Sequence, residues 1–112
     1  AAFHADMGAD MSRVTVVVMS EFGRRVQENG GRGTDHGHGG AMLLMNGALN
    51  GTPVTARWVG LAPEVLDRGE DLPITIDYRD VLSEMISTRL GNTATSTIFP
   101  NYTTSPVGLF RA

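Results

Sequence analysis

Apolar and polar positions divide this chain into a few strongly patterned runs separated by turn signals. Arg13 to Met19 reads RVTVVVM, four valines and a threonine with almost no polar interruption. A run of that kind fits a strand buried on both faces, and it predicts a central parallel strand. Ala41 to Met45 (AMLLM) is a second apolar run, followed by the turn pairs Asn46-Gly47 and Asn50-Gly51. Val54 to Val59 then alternates apolar with small or polar positions, so Ala41–Asn46 and Val54–Trp58 read as two strands of a ribbon with Trp58 as its packing anchor. Leu72 to Ile76 is short and extended. Asp77 offers a side-chain acceptor to cap a helix from Tyr78 to Leu90, and Gly91 ends it. Val81, Leu82, Met85, Ile86 and Leu90 share one stripe of that helix, which predicts packing on a sheet.

The remaining stretches carry weaker signals. Ala1 to Met11 suits the end of a helix closing at Gly8, with no cap before Ala1, so it reads as a helix cut at its start. One helical turn is expected near Pro63, a charged turn over Arg68–Asp71, and a partly mobile tail from Asn92 with Phe99-Pro100 as anchor. The chain therefore reads as one partial domain over residues 1–112. Its parts are a truncated helix at 1–11, a strand plus glycine-rich loop at 12–40, a ribbon at 41–59, a strand and helix at 72–91, and a tail at 92–112. The fold class is α/β.

Composition narrows the function classes. A length of 112 residues with 41% hydrophobic content supports one modest core. Nine basic against twelve acidic residues, a net charge of -3, gives no field that would draw nucleic acid. No stretch approaches the ~18 apolar residues of a membrane-spanning helix. Cysteine is absent, so any metal must take oxygen and imidazole ligands.

Candidate chemistry concentrates in Ser20–Gly40, SEFGRRVQENGGRGTDHGHGG. Two of the three histidines, His36 and His38, fall beside Asp35. Six of the eleven residues from Gly30 to Gly40 are glycine, a loop that loses much entropy on ordering and that an ion can hold in place. Asp35 and His36 are the candidate metal ligands, zinc or manganese being the expected ion. His38 and Glu21 are candidates for a further ligand or a supporting contact, and Arg24 and Arg25 for binding an anion. Each has a plainer alternative: Asp35 and His36 hydrogen-bonded within a turn, Glu21 paired with Arg24 or Arg25, and both arginines as surface residues. His4, alone near the terminus, is left out of the site.

The runs VTVVVMSEFGRRVQENGGRGTDHGHGG, DLPITIDYRDVLSEMISTRL and IFP, in that order, resemble the carboxyl-terminal part of a bacterial family of unknown function. That family is sulfatase-like and belongs to the alkaline phosphatase superfamily. The resemblance implies an alkaline-phosphatase-like fold, with Asp35-His36 matching a metal-binding pair and His38 a supporting histidine. It also implies a phosphate or sulfate ester as substrate of the parent protein, and an exported or periplasmic setting. The superfamily's nucleophile and first metal-binding aspartate lie upstream of the matching region, and no histidine follows His38 to complete a second metal site. Two expectations follow. One is a metal-binding segment of an ester hydrolase, inactive alone; the other is a non-catalytic module with a structural metal or interaction loop. Either accommodates a homo-oligomer.

Overall fold

The computed structural model describes residues 1–45 and 48–111. The chain divides into two compact units. One comprises Ala1–Val16, Leu44–Thr55 and Ile76–Ala112, the other Val17–Leu43 and Ala56–Thr75. The elements are mixed α and β: α1 (Ala2–Met7), a 3-10 helix (Gly8–Arg13), β1 (Val16–Val18), β2 (Gly23–Glu28), β3 (Thr34–Gly37), β4 (Leu43–Met45), a 3-10 turn (Pro63–Val65), α2 (Tyr78–Leu90) and α3 (Thr95–Ile98). The strands form two sheets of two strands each, β1 with β4 and β2 with β3. No helix among the described residues is long and apolar enough to cross a membrane.

In the first unit, α2 spans the predicted residues because both ends carry local stop signals. The Asp77 carboxylate accepts from the Arg79 amide at 2.9 Å, and Gly91 adopts a left-handed φ of 64°. Asp77 also pairs with the Arg79 guanidinium at 2.8 Å, and that guanidinium lies 3.6 Å over the Tyr102 ring. Replacing Asp77 with alanine removes cap and ion pair together, and is expected to lower stability by roughly 1–2 kcal/mol. Urea denaturation followed by far-UV circular dichroism checks this.

The apolar stripe of α2 is correct only in part. Val81 is buried, and Leu82, Met85 and Ile86 are half-buried, but Leu90 is exposed. The polar side of the helix is used as well: Ser83 is buried, and Asp80 and Glu84 bind the tail backbone. Among the described residues α3 packs on α2, and no sheet does. The tail is tied to α2 through hydrogen bonds. Its Val107, Gly108, Leu109 and Phe110 amides all donate to the Glu84 carboxylate. Phe99, the expected anchor, meets Tyr78 edge to face at 6.5 Å between ring centres.

The valine run is not a buried central strand. Only Val16–Val18 is in strand conformation, Val16 and Val17 are half-buried, and Val18 is 53% exposed. Among the described residues it has a single partner strand, β4, rather than the two neighbours of a central strand. The ribbon also differs from expectation. Leu43–Met45 is a strand but pairs with β1, and 54–58 forms no ladder. Trp58, at 70% exposed, anchors nothing. The expected Asn46-Gly47 turn lies outside the described residues. Asn50 instead ties to the tail, donating from its side chain to the Gly108 carbonyl at 2.6 Å and from its amide to Leu109 at 2.8 Å.

Candidate metal centre

The second unit holds all the candidate residues. β2 and β3 are antiparallel, with Gly23 opposite Gly37, Arg24 opposite His36 and Glu28 opposite Thr34. From the Arg24 pair to the Glu28 pair, β2 advances four residues while β3 advances two, so β2 bulges between them. The glycine-rich loop is closed by Asn29. Its side-chain oxygen accepts from the Gly31 and Gly33 amides at 2.9 and 3.2 Å, and its amide donates to Asp35 at 2.8 Å.

Asp35 and His36 both lie on β3, where successive side chains point to opposite faces. His36 stacks on Phe22, with ring centres 3.7 Å apart. Arg24, on the same face, sits 5.4 Å from the Phe22 ring centre and donates to the Thr34 carbonyl at 2.7 Å. Asp35 accepts from the Asn29 side-chain amide. Asp35 and His36 line one open cleft together with Arg24, Arg25, Asn29 and Thr34, without a third metal-ligating side chain grouped with them among the described residues. Glu21 is exposed and accepts from the Ser20 hydroxyl at 3.1 Å, rather than pairing with Arg24 or Arg25. Its own backbone amide and then that hydroxyl hold its carboxyl below the usual range.

His38 goes elsewhere. It follows β3, and its neighbour Gly39 is clasped by backbone bonds, donating to the Leu72 carbonyl at 2.7 Å and accepting from the Arg24 amide at 3.0 Å. A side chain at Gly39 would meet the Leu72 and Pro73 carbonyls at 2.5 and 2.7 Å, so only glycine fits this approach. The clasp delivers His38 to the charged turn, where its Nδ1 pairs with Asp67 Oδ2.

The turn itself is a tight hairpin. Asp67 and Asp71 exchange both backbone hydrogen bonds, at 2.9 and 3.0 Å, across the three residues Arg68-Gly69-Glu70, of which Arg68 and Gly69 have left-handed φ of 52° and 75°. This places two aspartates directly opposite each other, a destabilising like-charge pairing that nearby cations offset. Two guanidiniums answer it. Arg68 Nη2 donates to Asp71 Oδ2 at 2.7 Å, and Arg25 pairs with Glu70 at 2.8 Å while its Nε faces Asp71 Oδ1 at 3.4 Å. Asp71 is 2% exposed, and its carboxyl is held below the usual range first by the Arg68 hydrogen bond, against the opposing effect of burial. The facing Arg25 Nε and Asp71 Oδ1 are both buried, yet neither completes a hydrogen bond.

Donor atoms of His38, Asp67 and Asp71 all lie within 4.8 Å of one another. One imidazole nitrogen and two carboxylate oxygens, one of them buried without a hydrogen bond, can hold a metal ion. Of the candidates read from sequence, only His38 belongs to this group. Asp67 and Asp71 were legible only as members of a charged turn. The signal that could have found them is an aspartate at each end of the three-residue turn Arg68-Gly69-Glu70.

Fold and site together define a class: a small mixed α/β chain whose polar chemistry gathers in a carboxylate–imidazole cluster between a strand hairpin and a charged turn. Residues 1–96 match the family described as protein of unknown function DUF1501, and the chain belongs to that family. No curated protein and no solved structure matches the chain.

Proposed function

We propose that this chain is the metal-binding segment of a metal-dependent phosphate or sulfate ester hydrolase, with His38, Asp67 and Asp71 as the ligands and zinc or manganese as the ion. The observation that carries the reading is the convergence of these three donors within 4.8 Å. The hydrolase class comes from the sulfatase-like resemblance of the SEFGR, GTDHGHG and DYRDVL motifs, which also suggests an exported setting. A bound divalent ion would supply Lewis-acid stabilisation of charge on the ester oxygens. Asp71, held by Arg68 and Arg25, fixes one ligand position. Asp67 orients the His38 ring through Nδ1, which leaves Nε2, facing Arg68, as the nitrogen for an ion. The nucleophile is supplied by a part of the parent protein other than these residues.

The test is a titration of the tag-free chain with zinc and with manganese, in wild type, His38→Ala, Asp67→Asn and the double variant Asp35→Ala with His36→Ala. His38→Ala and Asp67→Asn are each expected to weaken binding on the order of tenfold or more, with the double variant close to wild type. The reverse pattern would move the ion to Asp35-His36. Equally negligible binding by all four proteins would overturn the reading.

A further inference from the structure

We infer that Arg68 is a resident cation of the His38–Asp67–Asp71 cluster, and that a divalent ion binds by displacing it. The inference rests on the metal-site reading above and adds what controls access to it. A single nitrogen, Arg68 Nη2, lies 2.7 Å from Asp71 Oδ2 and 3.3 Å from His38 Nε2. It therefore contacts two of the three ligand residues at once. A guanidinium has no acceptor, so a hydrogen bond from Arg68 to Nε2 uses the lone pair that a metal ion would take.

Charge and exposure identify which guanidinium leaves. Asp67, Glu70 and Asp71 carry three negative charges against two positive charges on Arg25 and Arg68. Adding a divalent ion with both arginines in place leaves a net charge of about +1; releasing one arginine restores neutrality. Arg25 is fixed along β2, its neighbour Val26 bonded through the backbone to Glu70 and its own side chain paired with that residue. Arg68 stands at the tip of the turn with its side chain 66% exposed, and its release into water meets no packing. Occupancy by Arg68 also relieves the repulsion between Asp67 and Asp71 while no ion is bound.

The experiment is calorimetric titration of zinc chloride into the tag-free 112-residue chain at fixed pH and ionic strength. The proteins are wild type, Arg68→Gln, Arg68→Lys and the charge control Arg32→Gln, an exposed loop residue. Arg68→Gln is expected to bind zinc about tenfold more tightly than wild type, Arg68→Lys to fall between them, and Arg32→Gln to stay within about twofold of wild type. Far-UV circular dichroism verifies that each variant is folded. Binding by Arg68→Gln where wild type binds none would support displacement most directly. Zinc bound by wild type and by Arg68→Gln with equal affinity, or more weakly by the variant, would overturn displacement and leave the metal site standing. An equal gain in Arg32→Gln would reduce the effect to net charge and overturn it too. No binding by wild type or by either Arg68 variant would remove both the displacement and the site.

Discussion

Gly39→Ala is expected to abolish the cluster without changing a ligand side chain. A methyl group at this position would be driven to 2.5 Å from the Leu72 carbonyl and 2.7 Å from that of Pro73. Both are backbone atoms and cannot rotate away, so the segment carrying His38 must separate from the one carrying Asp71 and Leu72. The separation breaks the Gly39–Leu72 hydrogen bond and withdraws His38 from Asp67. Overpacking of this kind with a lost backbone bond is expected to lower stability by about 3 kcal/mol. Zinc affinity should fall on the order of tenfold or more, because one of three ligands no longer reaches the centre. Gly40→Ala is the matched comparison. Its nearest neighbour would lie at 3.4 Å, close to ordinary contact, and both stability and affinity should stay near wild type. Chemical denaturation and zinc titration of the two variants decide the matter; wild-type behaviour of Gly39→Ala would refute the clasp.

Glu84→Gln is expected to release the tail. The Glu84 carboxylate accepts from Val107 and Gly108 through one oxygen and from Leu109 and Phe110 through the other, at 2.7 and 2.8 Å and at 2.5 and 2.9 Å. Glutamine keeps one acceptor oxygen and turns an amide donor toward two of these N–H groups. The half-exposed setting moderates the loss, which is expected to be about 2 kcal/mol. Backbone amides of 107–110 should lose their protection from hydrogen exchange. The pH dependence has a definite sign. Burial raises the Glu84 pKa, but the four backbone donors together outweigh it and leave it below the ordinary 4.5. Its contribution is therefore complete above the unfolded value and is lost as pH falls through the lower folded value. The stability gap between wild type and Glu84→Gln should narrow across that acid range. A gap unchanged on acidification would show that the charge contributes nothing.

Local rules explain which elements were legible. Asp77, the periodic stripe and Gly91 all act within a few residues of α2, so its limits could be read directly. Gly8, Pro63 and the Arg68–Asp71 turn are similarly local, and each occurs at its expected place. The valine run failed because strand burial depends on neighbours and covering layers, which the run itself does not encode. The contacts of the tail were not legible for a related reason: its backbone donors meet one carboxylate on the supposed solvent face of α2.

The candidate site divides the same way. His38 stood out by its setting among glycines and Asp35-His36 by adjacency, and Asp35 and His36 do share a cleft with Arg24 and Arg25. Residue types and spacing determined by themselves the family, the capped helix, the charged turn and the restriction of any metal to oxygen and imidazole donors. Only the tertiary structure decided that His38 meets Asp67 across 29 residues, with Asp71 and Arg68 beside them. That meeting depends on a backbone approach at Gly39 and a left-handed turn at Arg68-Gly69, where chain path rather than periodicity sets which side chains converge.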